Sequence, residues 1–520
     1  MLVSATVSFA QLATALIVVA ATGAGFACLK WLRRKLEIAD GLAPIPGPKG
    51  TFLLGVLPEL IRNMSRFNHF QEDLMLQYGG RVKLPWHLFS DGSVYISDPK
   101  DVKHILTTNF NNYIKAEPLL ATFSELFSKS FFGLNHAHSP DNGAMWKLQR
   151  QVASKVFTTN NFKLFSEQIF HKYSLQMVDI INAQGGKCDM LEVASQYALQ
   201  AIFDVGCGVP LSEVDEQLGL SFLESMRFVV NNIVDRILAK PYYKYLWWCM
   251  PSEYRLMREV KVMTAIADKI LERRLKETDE ELAPRSDIMS LFIKKARELS
   301  VAEGSSVLDL DTVRSIFLTF IFAGWDTTSG SITYAFYALI QNPQAQEQLF
   351  DELENLQKSS LTYDDIKKLK YLDAVVSESM RLYPIVPFDK KMAAQDDHLP
   401  DGTFIPAGTE IVYSPWYMGR HNPIWGDDPM VFRPERWLEM KTRPSVYDFP
   451  AFQAGPRICI GMNMALLETK MFIAVMVNNF RAQIQDGEQL EDRGYAISPT
   501  LTLKDGLPLQ MTPRQVACAF

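Results

Sequence analysis

Phe452-Gln453-Ala454-Gly455-Pro456-Arg457-Ile458-Cys459-Ile460-Gly461 runs straight into Met462-Asn463-Met464-Ala465-Leu466-Leu467-Glu468, a helical pattern. A single cysteine held between glycines, just before a helix N-terminus, is placed to be a thiolate. Backbone N–H groups and the positive end of the helix dipole stabilise the anion there. Gly455 and Gly461 permit a positive φ or a close backbone approach. Arg457 adds a cation two residues ahead of the thiol. One soft anionic ligand in a tight loop suits iron better than zinc, which takes four ligands. Alone, the segment reads equally as a buried structural cysteine in a glycine-containing turn.

The spacing Phe-x-x-Gly-x-Arg-x-Cys-x-Gly, from Phe452 to Gly461, resembles the haem-binding signature of the cytochrome P450 family. The resemblance implies that Cys459 is the proximal ligand of a haem iron and that Arg457 pairs with a haem propionate. It also places Phe452, Gly455 and Gly461 among the cofactor-binding residues.

The chain has 520 residues, 48% of them hydrophobic, with no repeat and no long Gly/Ser linker. One large catalytic domain plus an anchor is the expected organisation. A net charge of −6 argues against nucleic acid as a partner. The six cysteines (28, 188, 207, 249, 459 and 518) contain no Cys-x-x-Cys pair, which suits a reducing compartment.

Met1 to Leu29 carries no charged side chain, then Lys30, Arg33, Arg34 and Lys35 follow. The apolar run exceeds the about 20 residues that cross a bilayer as a helix. The basic cluster after it holds the following chain on the cytosolic side. A cleaved signal is the alternative, but its charge would precede the apolar run. Ala43-Pro44-Ile45-Pro46-Gly47-Pro48 reads as a stiff extended hinge, similar to that of microsomal members of the family. The expected division is 1–30 transmembrane anchor, 31–50 basic stop and hinge, and 51–520 catalytic domain.

Arg81–Leu84 and Val94–Ser97 read as short strands, and Asp98-Pro99 opens a helix by N-cap and N1 preferences. Trp146 and Arg150 stand four apart on one helical face. The family resemblance puts both at a haem propionate. His136 and His138 read as members of a solvated loop. Pro241 to Trp248 is an aromatic segment where the family's substrate lid lies, and core packing explains it equally well. Thr278 to Asp287, rich in Glu, reads as an exposed loop.

Asp311 to Ile340 predicts a helix of roughly 45 Å, nearly continuously apolar over Ser315 to Phe322. Ala323-Gly324-Trp325-Asp326-Thr327-Thr328 breaks that pattern. Gly, Asp and β-branched Thr are poor choices in a buried helix, and a locally broken rule marks a functional site. Gly324 is expected to let a ligand lie against the backbone, and Thr327 to bond back to a carbonyl. Asp326 and Thr327 resemble the family's acid–alcohol pair, which supplies protons to dioxygen; Ala323 and Gly324 are then haem-contacting residues.

Glu378 and Arg381 stand three apart on one helical face, ordinarily a weak surface pair. The family's Glu-x-x-Arg motif bonds to an Arg of a later loop, here Arg436, and supports the cysteine loop. The helix ends at Pro384. Ile385, Val386 and, from the turn Ser498 to Thr502, Leu501 are expected to line the substrate pocket.

Taken together, the resemblance implies a mainly α protein with small β-sheets, the cytochrome P450 fold, preceded by one transmembrane helix. It implies haem b, bound non-covalently apart from the Cys459 thiolate, since Ala323 occupies the position where animal fatty-acid ω-hydroxylases esterify the haem through a Glu. The reaction is R–H + O₂ + 2 e⁻ + 2 H⁺ giving R–OH + H₂O. No flavin or nicotinamide motif appears, so NADPH acts through a flavoprotein reductase docked near Lys147 and Arg150. Asp397 to Gly408, Tyr417 to Arg420 and Ala454 to Cys459 resemble the plant and fungal fatty-acid ω-hydroxylase clan. Trp325 departs from that clan's frequent Arg and is expected to alter a pocket wall. Sterols or other small lipophiles are the alternative substrates. A haem-thiolate isomerase or dehydratase and a non-catalytic haem carrier are the rivals of another class; both would dispense with the acid–alcohol pair. The implied location is the endoplasmic reticulum membrane, with the catalytic domain cytosolic.

Overall fold

The computed structural model describes residues 9–515, apart from 52, 88–89, 117–119, 121, 138, 212–215, 239–242, 304–308, 359, 491–492, 497 and 499. For 9–24, 216–221, 234–235, 237–238, 244–245 and 300–303 it describes the backbone alone. Part of the expected anchor, residues 1–8, therefore lies outside the described residues, as do His138, Pro241 and Tyr242 of the segments singled out above.

The chain is mainly helical. The helices that build the site are α1 (Phe9–Gly41), α2 (Phe67–Tyr78), α3 (Pro140–Ser154), α4 (Met190–Cys207), α5 (Glu216–Leu238), α6 (Pro251–Leu275), α7 (Leu310–Gln341), α8 (Lys370–Leu382), α9 (Pro415–His421), α10 (Glu435–Glu439) and α11 (Met462–Asn479). Among the described residues, beside two two-stranded pairs, two sheets of three or more strands flank them. Their strands are β1 (Val82–Leu84), β2 (Ser93–Ile96), β3 (Tyr113–Ile114), β4 (Lys187–Asp189), β5 (Asp389–Ala393), β6 (Glu410–Tyr413), β7 (Phe480–Ile484) and β8 (Pro508–Pro513). The larger sheet has the order β1-β2-β6-β5-β3, with β2 and β6 parallel and the other pairs antiparallel. The smaller sheet, β4-β8-β7, is antiparallel and joins the chain's C-terminal part to its middle.

Helix α7 is the axis of the core. Asp309 caps it, accepting from the Thr312 N–H. Buried residues then follow almost without a break from Thr312 to Phe322 and resume at Trp325. Such an all-round apolar helix has to be covered on every side. Helix α4 covers one side, with Phe203 edge-on to Phe317 at 5.9 Å and Gly206 letting Ile321 and Phe317 within ordinary contact. Helix α11, which follows the cysteine loop, is buried for most of its length from Met464 to Asn478. The Tyr197 hydroxyl of α4 donates to the Glu468 carbonyl of α11.

The expected basic stop and hinge are docked. Helix α1 continues through the basic cluster, and Lys35 is 1% exposed. Its ammonium donates to the carbonyls of His87 and Ser90 and to the Asp91 carboxylate, between the rings of Trp31 and Trp86. After α1, Leu42 and Ile45 are buried, the Pro46 carbonyl accepts from the Lys83 N–H, and a Cβ at Gly47 would overlap the Lys83 carbonyl. The proline-rich segment is therefore laid along β1 instead of standing free. Among the described residues no helix is long and apolar enough to cross a membrane.

The charged stretch from Thr278 to Asp287 is also more ordered than its composition predicts. Thr278 and Glu281 form a reciprocal capping box on a short helix. Asp287 is buried against Arg274, itself 2% exposed.

Candidate active site

The cysteine loop is built on two backbone exceptions. Gln453 and Gly455 both have positive φ, 59° and 65°. Gly455 also abuts the chain preceding β3, where a Cβ would overlap the Leu106 carbonyl oxygen. Gly455→Ala is therefore expected to lower the melting temperature and the haem bound per polypeptide. The left-handed conformation alone costs an alanine about 1–2 kcal/mol. A variant that melts and loads like the parent would contradict this. Gly461 does not take the positive φ expected of it: its φ is −90°, and no protein atom lies within 4 Å of where its Cβ would be.

Cys459 is anchored by its own N–H, which donates to the Phe452 carbonyl at 2.9 Å. The residue keeps accessible surface although protein surrounds it closely, so it lies at the bottom of a recess. Burial pushes its thiol upward, against the Gly461 N–H and the Arg150 charge, which favour the thiolate. A coordinating iron is what would draw off the proton.

Beside the loop, α3 presents Trp146 and Arg150 as the sequence predicts. The Ser139 hydroxyl caps this helix. Arg150 donates to the Ile458 carbonyl at 2.8 Å, and the guanidinium of Arg457 lies 4.9 Å from the centre of the Trp146 ring. Arg457 donates to the Leu134 and Phe131 carbonyls. Burial and the Arg150 charge bring Arg457 down to about 10, still a cation at neutral pH. Arg150 is thus turned inward; of the pair expected at a docking face, only Lys147 is exposed.

Two members of this cluster carried no usable signal in the sequence. His136 was expected in a solvated loop. It stacks on Phe110, with ring centroids 3.9 Å apart, and lies 3.3 Å from Arg457. Burial and Arg457 bring it down to about 4, so it is neutral. The Lys115 ammonium donates to the Phe132 carbonyl over that residue's ring. Burial and Arg457 hold it well below its ordinary value.

Among the described residues, no carboxylate lies within ion-pair distance of Arg150, Arg457 or Lys115. The buried indole N–H of Trp146 has no acceptor, and neither does the Nε of Arg457. Enclosed cations without counter-charge are costly. An anionic cofactor bearing carboxylates would complete both sets of donors, and a haem with its two propionates fits them.

The opposite wall comes from α7. The Thr327 hydroxyl donates to the Ala323 carbonyl at 2.6 Å, the back-bond the sequence predicts. Ala323 is exposed although it sits mid-helix. Asp326 is held by Thr500, whose hydroxyl donates to Asp326 Oδ2 at 2.6 Å. Burial raises the Asp326 carboxyl above its ordinary range, opposed by the Thr500 bond and by Arg227.

Two residues of this motif face elsewhere. A Cβ on Gly324 would come within 2.7 Å of the Ile202 side chain, so this glycine serves the close approach of α4 and not a ligand. Trp325 is 4% exposed and donates its indole N–H to Ser195 of α4 at 2.8 Å. It is a helix contact and not a pocket wall. At about 100° per residue, Ala323, Asp326 and Thr327 share one face of α7 while 324 and 325 turn to another.

Behind the loop, Glu378 and Arg381 are both fully buried, so the surface reading of this pair fails. Arg381 bridges Glu378 with two bonds of 2.8 Å. It also donates to the carbonyls of Gly419, Pro429 and Val431. Glu378 further accepts from Arg436 Nε at 3.4 Å, the Trp437 indole at 2.8 Å and the Arg433 N–H at 2.9 Å. Trp437 was not anticipated. Arg436 in turn donates to Trp425 and Asp428.

Facing α7 from the C-terminal side, Leu501 donates its N–H to the Ile385 carbonyl. Ile385 and the Leu501 carbonyl both lie 3.3 Å from where Gly330 would carry a Cβ. Val386 is half-buried next to them.

A family model for cytochrome P450 matches residues 45–503. The chain belongs to the cytochrome P450 family. It is 30% identical over 518 residues to cytochrome P450 704B1 of Arabidopsis thaliana, covering 90% of this chain and 95% of that one. It is 32% identical over 442 residues to cytochrome P450 94A1 of Vicia sativa, covering 81% and 82%. Cytochrome P450 86B1 of Arabidopsis thaliana is 28% identical over 492 residues, covering 89% and 85%. As a cytochrome P450 this chain is a haem-thiolate monooxygenase. Its haem-contacting residues would be Cys459 on one side, Trp146, Arg150, Arg457, His136 and Lys115 around the carboxylates, and Ala323 opposite.

Proposed function

We propose that this cytochrome P450 hydroxylates fatty acids at or near the ω carbon, with electrons from an NADPH-dependent flavoprotein reductase at the endoplasmic reticulum membrane. The resemblance of 397–408, 417–420 and 454–459 to the fatty-acid ω-hydroxylase clan favours that substrate. So does the apolar face formed by Ile385, Val386 and Leu501 beside α7. Phe123 and Phe132 add an edge-on aromatic pair 5.4 Å apart, with Phe322 of α7 within 6.5 Å of each. The uncharged run before Lys30 supports an anchor over 1–30, and Lys147 supports reductase docking on the α3 side.

The observation that carries the oxygen chemistry is the pairing of Asp326, whose carboxyl burial raises above its ordinary range, with Thr327, whose hydroxyl is bonded back along its own helix. When bound, the haem supplies dioxygen activation and hydrogen abstraction. The chain's own work is narrower. Cys459 supplies an anionic sulfur. Asp326, its carboxyl raised by burial, is the group that takes up and releases a proton. Thr327 presents a hydroxyl from a helix face that Ala323 leaves unobstructed. The apolar wall excludes water and orients a hydrocarbon chain.

Membranes containing the enzyme and a reductase, given saturated fatty acids of graded chain length, should yield ω-hydroxy products with matching NADPH consumption, read by mass spectrometry. Turnover of sterols but of no fatty acid would sink the substrate assignment. Asp326→Asn and Thr327→Ala should each lower product formed per NADPH by at least about tenfold, since a positioned proton donor contributes about 10²–10⁴ in rate. Unchanged coupling in both would remove the acid–alcohol role.

A further inference from the structure

We propose that Thr500 is a positioning residue for proton delivery, gripping one oxygen of Asp326 so that the other alone exchanges protons with water. The inference rests on the reading of Asp326 as proton donor given above.

The Thr500 hydroxyl donates to Asp326 Oδ2 at 2.6 Å, and Thr500 is 5% exposed. Oδ1 of Asp326 makes no hydrogen bond among the described residues. A single short bond to a carboxylate leaves the group able to rotate unless its partner is itself held. Here the partner is held. Leu501, the next residue, donates its N–H to the Ile385 carbonyl at 2.8 Å. Its own carbonyl lies against Gly330, one turn beyond Asp326 on α7. Tyr495–Ala496 pairs antiparallel with Thr502–Leu503 and closes the turn. Thr500 is therefore carried on a braced platform that spans α7 and the 385–386 segment.

The surroundings give that one hydroxyl leverage. Burial drives Asp326 toward its neutral form, and only the Thr500 bond and the Arg227 charge oppose it. Arg227, on α5, is itself engaged by the Glu192 carboxylate at 2.7 Å and by Ser195, which discounts its pull. A donor to the charged form lowers a carboxyl's pKa. Thr500 therefore keeps Asp326 able to release its proton as well as to hold it. Without the hydroxyl, the carboxyl keeps its proton to higher pH and loses its fixed orientation.

Three variants test this. Thr500→Val preserves volume and deletes the hydroxyl, Thr500→Ser preserves the hydroxyl, and Asp326→Asn identifies the infrared C=O band of protonated Asp326 by its disappearance. In Thr500→Val that band should titrate about one pH unit higher, the worth of one hydrogen bond to a charged group. Product per NADPH should fall severalfold, with the missing equivalents recovered as hydrogen peroxide. Thr500→Ser should restore both. A Thr500→Val protein that titrates and couples like the parent overturns the proposal. So does a Ser variant as impaired as the Val variant, because volume and not the hydroxyl would then matter. Asp326→Asn separates the two levels. If it leaves coupling intact, the proton-donor reading falls and takes Thr500's role with it. If it uncouples while Thr500→Val does not, only the role of Thr500 falls.

Discussion

Cys459→Ala is expected to abolish product formation, to the level of heat-denatured enzyme, while leaving the fold in place. The sulfur is the side chain the iron would need, and the loop that carries it is built from backbone contacts that an alanine keeps. Those contacts are the Cys459 N–H to Phe452 and the positive-φ pair Gln453 and Gly455. A partly accessible side chain of this size changes stability by no more than about 0.5 kcal/mol. The melting temperature of the haem-free protein should therefore match the parent's, while the thiolate-dependent red shift of the reduced, carbon monoxide-bound Soret band disappears. Among the described residues the other thiols do not compete. Burial pushes Cys188 up to about 12 and holds Cys207 well above its ordinary value, and Cys28 and Cys249 are exposed elsewhere. A Cys459→Ala protein that keeps the red-shifted band would show that another thiol ligates the iron.

Glu378→Gln is expected to be the most destabilising single change. The two carboxylate oxygens receive five donors: two from Arg381 and one each from Arg436, Trp437 and the Arg433 backbone. An amide of the same shape turns half of that acceptor site into a donor. It also leaves Arg381 and Arg436, both nearly inaccessible, without their shared counter-charge. Removing one partner of a buried ion pair costs about 3–5 kcal/mol, against a total of about 5–15 kcal/mol for a folded protein. The variant should accumulate poorly, melt far below the parent and bind little haem. Arg381→Lys should behave nearly as badly. A lysine cannot make the paired bonds to Glu378 and also reach the carbonyls of Gly419, Pro429 and Val431. Normal melting in either variant would show that the network does not hold the scaffold.

Where the sequence succeeded, the information was local. The cysteine loop is legible because Phe, Gly, Arg, Cys and Gly at fixed offsets encode one backbone path, two positions of which are left-handed. The long helix is legible because its apolar run lies within one segment. The Thr327 back-bond spans four residues and follows from helix geometry alone. The end of α8 before Pro384 follows from the steric rule for residues preceding proline.

Where it fell short, the deciding partner lay far along the chain. A helix buried on all sides carries no polar stripe to say which neighbour each residue meets. Gly324 and Trp325 were therefore assigned to the ligand face, although Ile202 and Ser195 of α4 receive them. Charged side chains read by default as solvated. That default hid Lys35 against His87, Ser90 and Asp91, and Arg274 against Asp287. It also placed His136 in water when it stacks on Phe110. By itself the sequence determined the cysteine loop and, through its resemblance, the family. Only the tertiary structure decided that Arg150, Arg457 and Lys115 draw together beside the cysteine loop and which hydroxyl holds Asp326. Burial and counter-charge are set by residues that meet only after folding.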